Sequence, residues 1–179
     1  MIAHLTQQII LWSCAGLLLW AAVSDLRTYL IPNLICAALV ALYPIYLLAG
    51  FLGGAQVDWA GGVLAGALIF AIGFGLFCLG MMGGGDVKLF SAVAVWAGLD
   101  LLVPVLVVVG VAGGMLSVGI LGAKAAALMR LPADLRDVAY PAGRMGVLRA
   151  AMQTKAPYGA AIACGGLFIL YRLLGLRLL

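Results

Sequence analysis

Two aspartates, Asp25 and Asp86, are the residues of this chain whose type and setting point most directly to chemistry. Asp25 closes an apolar segment in Ser24-Asp25-Leu26-Arg27, and Asp86 follows three glycines in Gly83-Gly84-Gly85-Asp86-Val87-Lys88. All six acidic residues of the chain are Asp, so neither of these is one member of a large acidic surface. An ionisable group inside or at the edge of a membrane segment is a functional candidate, because keeping it there costs free energy. Two carboxyl groups held close together do not both ionise readily; one keeps a proton and the pair titrates as a unit. Such a pair suits peptide hydrolysis, with one carboxylate activating water and the other giving a proton to the scissile carbonyl. The chain offers no Ser–His or Cys–His constellation that would do the same work through a covalent intermediate.

Each of these residues has a purely structural alternative. Asp86 after a glycine turn can cap the helix that follows it. Capping alone does not call for three successive glycines, which permit unusual backbone conformations and let a second chain lie close, as an extended substrate must. Asp25 can mark an interfacial helix end, paired with Arg27, before Ile31-Pro32-Asn33 restarts the chain as the next helix. Lys88 either steadies negative charge or substrate near Asp86, or serves as a positive flank of its span. His4 stands alone near the N-terminus. The cysteines (Cys14, Cys36, Cys78 and Cys164) lie apart in apolar runs without a CxxC pair, which reads as small apolar packing rather than metal binding. No metal and no cofactor is expected.

The elements that must position the two aspartates are membrane spans. The chain has 179 residues, 66% of them hydrophobic and 9% charged, which no soluble domain of this size matches. Six apolar runs cover roughly 5–24, 34–52, 59–79, 87–98, 101–123 and 157–174. Most have the length of about 20 residues that spans about 30 Å of hydrocarbon. This predicts an all-α membrane protein of about six transmembrane helices, a single polytopic domain over residues 1–179. The first run lacks a positive start and a small-residue cleavage site, so it reads as a span rather than a signal peptide. The fourth is short: from Asp86 to Leu99 a helix rises only about 20 Å. With Asp100 at one surface, the Asp86 carboxylate would lie about 10 Å below the other, given that thickness.

The net charge of +4 follows the same topology and is not read as a nucleic-acid signal. Six spans put eight of the ten basic residues on one side: Arg27, Lys88, and the group Lys124, Arg130, Arg136, Arg144, Arg149 and Lys155. That side is expected to be cytoplasmic. A rival topology fuses the fourth and fifth runs into one long helix, stranding that group across the membrane from Arg27 and Lys88. In either topology two spans separate Asp25 from Asp86, so both face one compartment. The polar stretch 124–155 is either a solvated positive loop or carries a short interfacial helix around Met145–Gln153. Gly62-xxx-Gly66 and Gly110-xxx-Gly114 have the small-residue spacing of close helix packing.

Taken together, these segments resemble a known family. Gly83-Gly84-Gly85-Asp86-Val87-Lys88 matches the GxGD-x-K motif of membrane aspartyl proteases, specifically type IV prepilin peptidases. Ser24-Asp25-Leu26-Arg27 with Ile31-Pro32-Asn33 is similar to the first aspartate region of that family. Ala156-Pro157-Tyr158-Gly159-Ala160-Ala161-Ile162-Ala163 resembles its Pro-aromatic-Gly segment, and the three stand in family order. The resemblance implies that Asp25 and Asp86 are the catalytic pair, with Gly83, Gly85 and Lys88 in support. It also implies that Pro157, Tyr158 and Gly159 lie near the active site and line the substrate; as residues alone they read as a helix start. The expected partners are prepilin-like precursors and the lipid bilayer, and no nucleic acid. The family cuts a short basic leader at the cytoplasmic face of the bacterial inner membrane. The chain lacks the insert with paired CxxC motifs of larger members and resembles the short forms of tight-adherence (Flp) pili, so no methyl transfer is expected. Rival functions are a small proton or cation transporter using the two aspartates and an archaeal preflagellin peptidase.

Overall fold

In a computed structural model, which describes residues 2–55, 58–130 and 157–175, the chain is a bundle of long helices, with no strand among those residues. The helices are α1 (Ile2–Thr28), α2 (Asn33–Leu52), α3 (Trp59–Cys78), α4 (Gly84–Met129) and α5 (Tyr158–Gly175). All five are long and apolar enough to cross a membrane. Their surfaces are inverted relative to a soluble protein. Trp12, Leu19, Trp20, Phe51, Phe70 and Val103 are exposed, while the buried polar or charged side chains among the described residues are Gln7 and Asp25. A helix apolar on all sides belongs in lipid or in a protein interior, and here both kinds of face are present.

The fourth helix settles how the apolar runs cross the membrane. It is assigned as one element, yet Gly98 within it has φ 61° and ψ −174°, a conformation open essentially to glycine alone. The arms on either side fold back on each other. Val93, before the bend, faces Gly166 of α5, and Val105 and Val109, after it, face the adjacent Gly165. In a continuous helix Val93 and Val109 would stand about 24 Å apart and could not meet neighbouring residues. Farther along, Gly113 lies beside Tyr158 at the start of α5. The expected short fourth helix and the separate fifth are therefore the two arms of α4, and the fused, continuous alternative is ruled out by this packing. The second arm runs to Met129, six residues past the expected end at Ala123.

Six segments thus alternate in direction. Gly53 at the end of α2 meets Ala3 at the start of α1, and the Gln7 amide donates to the Tyr46 carbonyl, so α1 and α2 are antiparallel. Asn33 meets Lys88, and Leu39 meets Trp96, so α2 runs parallel to the first arm of α4. Gly73, Gly66 and Gly62 of α3 face Val87, Val95 and the Tyr43 hydroxyl in turn, and side chains at Gly62 or Gly66 would collide with these neighbours. The Gly62-xxx-Gly66 spacing is therefore a helix-packing stripe. Gly110 and Gly114 have open space beside them, and it is Gly113 that packs, against Ala161 and Tyr158. The core formed in this way includes Leu11, Leu18, Ile35, Leu89, Val93, Ile162 and Ile169.

Candidate active site

One end of the bundle gathers the C-terminus of α1 and the N-termini of α2, α4 and α5. Both aspartates are there. Asp25 does not end α1 but lies inside it, one turn from the close at Thr28. The helix stops because Tyr29 takes a left-handed conformation, φ 53°, rare for a residue with a side chain. Its amide still donates to the Asp25 carbonyl at 2.9 Å. The short linker to α2 is then tied down by the Ser24 hydroxyl, which donates to the Leu30 carbonyl at 2.8 Å. Pro32 precedes the first residue of α2, its fixed φ of −60° suiting the entry to a helix.

The Asp25 side chain is 4% exposed and points at the start of α5. Its Oδ2 accepts the Ala160 amide at 3.1 Å, and the Gly159 amide also bonds to the carboxyl group. The first amides of a helix have no partner within the helix, and they carry its positive dipole end. Asp25 thus caps α5 from another helix. Only glycine at 159 allows this. A Cβ there would stand 2.8 Å from Asp25 Oδ2, 2.9 Å from its Cγ and 2.6 Å from Ile31 Cδ1. The Pro157-Tyr158-Gly159 segment accordingly holds the first aspartate: Pro157 is buried, Tyr158 is exposed, and Gly159 makes the close contact.

Asp86 sits differently. It is the third residue of α4, not the residue before the helix, so the N-cap expected from the glycine turn does not form. Its carboxyl group instead reaches back to the Gly83 amide, the reciprocal half of a capping box. The positive φ angles of this region belong to Gly80, not to the triplet 83–85. The triplet serves close approach. A Cβ on Gly83 would lie 3.0 Å from Asp86 Oδ2, and one on Gly85 would lie 3.4 Å from Ile31 Cβ. Asp86 is half-buried. Because Gly73 faces Val87, α3 continues to Cys78 roughly one and a half turns beyond that level, which leaves Asp86 recessed below its end.

The two aspartates converge through Ile31. Its side chain touches Gly85, next to Asp86, on one side and Gly159, beside Asp25, on the other. The two carboxyl groups lie within charge–charge range of each other. Lys88 donates to Asn33 Oδ1 at 3.0 Å, joining the first turn of α2 to α4 on the exposed rim of this site. Ile31, Asn33 and the Ala160 amide had no assigned role in the sequence, although all three lie in the segments that carried the family resemblance; what singles them out is contact across helices. The end of the bundle that holds the aspartates also carries Arg27, Lys88, Lys124 and Arg130, while Arg172 lies near the other end of α5. Arg136, Arg144, Arg149, Lys155 and the stretch around Met145–Gln153 lie outside the described residues.

The same region of sequence is matched by a known family. Residues 12–118 fit the model of the type IV leader peptidase family, a match over more than half of the chain that takes in both aspartates. The chain belongs to this family. No curated protein and no solved structure matches it. Family membership makes the chain a protease with type IV leader peptidase-like activity, and it sets aside the transporter alternative. The Pro157-Tyr158-Gly159 segment falls beyond the matched residues, and its place in the site rests on the Asp25 contact.

Proposed function

We propose that this peptidase is a membrane aspartyl endopeptidase that removes the basic leader from type IV, Flp-type prepilins at the cytoplasmic face of the bacterial inner membrane. The observation that carries this reading is the meeting of Asp25 and Asp86 around Ile31, from helices far apart in sequence, in a recess at the basic end of the bundle. In the proposed reaction one carboxylate takes a proton from water as the water oxygen bonds to the scissile carbonyl carbon. The other carboxyl group gives its proton to the carbonyl oxygen. The tetrahedral intermediate then breaks its C–N bond, and the leaving amine takes up a proton from the site. The roles of the neighbours follow from their contacts. Gly159 and Ala160 hold Asp25 in place by their amides, Gly83 holds Asp86, and Gly85 gives room to the Ile31 side chain. Lys88 anchors α2 to α4 at the rim.

The excess of Lys and Arg at this end supports a cytoplasmic orientation. The absence of paired CxxC motifs supports cleavage without methyl transfer. The test is leader removal from co-expressed small pilin precursors, read as a size shift, in membranes carrying Asp25→Asn or Asp86→Asn at equal protein level. Both variants should lose processing. Normal processing by either one would defeat the assignment.

A further inference from the structure

The turn after Asp25 holds a backbone conformation that its residue type disfavours. Tyr29 has φ 53°, and it is the one residue other than glycine with a positive φ among the described residues. A helix that ends on a left-handed residue, with the amide of that residue bonded one turn back, ordinarily has glycine there, which carries no Cβ to crowd. Tyr29 makes this bond, and its acceptor is the carbonyl of Asp25 itself. Such a conformation persists only where the surroundings over-determine it. Here the restraint is the Ser24 hydroxyl, which reaches over the turn to the Leu30 carbonyl at 2.8 Å. The Thr28 hydroxyl lies 3.4 Å from the same carbonyl, but it has a single proton to give and stands 2.8 Å from the Ser24 carbonyl, the better acceptor. Ser24 is therefore the side chain that fixes where the linker leaves the turn. The next residue is Ile31, whose side chain lies against Gly85 at the start of α4 and against Gly159 at the start of α5.

We propose that Ser24 is a positioning residue for the aspartate pair: by holding the Tyr29 turn, it sets the Ile31 contacts that fix the start of α4, which carries Asp86, relative to the start of α5, whose amides hold Asp25. This rests on the function proposed above and adds a residue to it. Without the Ser24 hydroxyl the Leu30 carbonyl loses its short bond, and Tyr29 relaxes toward an ordinary backbone conformation. Ile31 then shifts against two glycines. Neither has a side chain to absorb the shift, so it passes directly to the backbones on which the aspartates depend. The carboxyl groups keep their identity and lose their alignment.

The experiment uses the full chain, purified in detergent, and a precursor that it cuts in an Asp25-dependent manner, with rates taken per folded molecule. A misplacement well under 1 Å is enough for Ser24→Ala to lower kcat by about 10-fold. KM should stay within about twofold of wild type, since alignment rather than substrate binding is lost. Ser24→Thr, which keeps a hydroxyl, should restore kcat, and Thr28→Val should cost less than Ser24→Ala. A second pair of variants tests the turn itself. Tyr29→Gly accepts the left-handed conformation freely and should keep kcat, whereas Tyr29→Val resists it and should lower kcat as Ser24→Ala does. A merely structural role would lower the melting temperature of Ser24→Ala and leave its kcat per folded molecule within about twofold of wild type; that result overturns the inference while the function stands. Equal losses in Ser24→Ala and Ser24→Thr also overturn it. If Ser24→Ala fails to accumulate, the Tyr29 pair decides, and equal kcat in its two members overturns the inference. Cleavage that survives in both Asp25→Asn and Asp86→Asn would instead remove the proposed function, and this inference with it.

Discussion

The two ends of the bundle handle buried polarity in opposite ways. At the end away from the aspartates, Trp96 packs edge-on against Tyr43 with centroids 5.5 Å apart and against Tyr46 at 5.2 Å. Its indole N–H donates to the Leu39 carbonyl at 3.0 Å, and Gln7 donates to the Tyr46 carbonyl at 3.2 Å. These groups bond to main-chain carbonyls within helices, which fixes the helices against one another and leaves little chemistry to do. At the other end the polar groups are carboxyl oxygens that accept the loose amides of helix starts. Such amides hold a carboxylate in place and leave further lone pairs free. The same need, satisfying polar atoms in an apolar setting, therefore yields a clamp at one end and a reactive pair at the other.

If that contrast is right, changes at one end should alter processing and changes at the other should alter stability. The largest effect is expected for Asp25→Asn and Asp86→Asn. Each keeps an acceptor oxygen but loses the carboxyl chemistry, so the rate of leader removal should fall by about 10²–10⁴-fold, with the detergent melting temperature close to wild type. Next is Gly159→Ala. It keeps both aspartates in the sequence but pushes the Asp25 carboxyl group off its amides, and a displacement of that kind is expected to slow processing by about 100-fold. Unaltered processing in Gly159→Ala would mean that the held position of Asp25 is irrelevant. At the opposite end Trp96→Phe keeps most of the ring packing and loses the bond to Leu39, a loss of about 1 kcal/mol in stability. Thermal unfolding in micelles should report it, with the rate per folded molecule unchanged. Smallest in consequence is Asp58→Ala, which removes the N-cap of α3, where the Asp58 carboxylate accepts the Gly61 amide at 2.9 Å. It should lower stability by about 1 kcal/mol or less, since its position at a helix start is exposed. A large processing defect in either Trp96→Phe or Asp58→Ala would break the division between the two ends.

Much of this is legible in the amino-acid sequence, for definite reasons. Membrane helices are long apolar runs, so α1, α2, α3 and α5 appear where composition puts them, with ends within a few residues of the expected ones. The Gly62 and Gly66 stripe was visible because close packing in lipid favours small residues at that spacing. Gly110 and Gly114 had the same spacing and do not pack, because spacing does not say which face meets a neighbour. A glycine turn before Asp86 suggests an N-cap, and only the helix start at Gly84 shows that its carboxyl group reaches back to Gly83 instead. Ile31 looked like an ordinary apolar linker residue. Its place in the site comes from the glycines at 85 and 159, which are 74 residues apart in the chain and both lie against its side chain.

Residue type and order alone were enough to require a multi-pass helical protein with Asp25 and Asp86 on one side. Hydrophobic length counts the crossings, and parity follows from the count. Only the folded chain could decide that α4 reverses at Gly98, that the start of α5 closes over Asp25, and that Ile31 packs against both Gly85 and Gly159. Those outcomes depend on which faces of distant helices meet, and that is a matter of shape and close contact rather than of local composition.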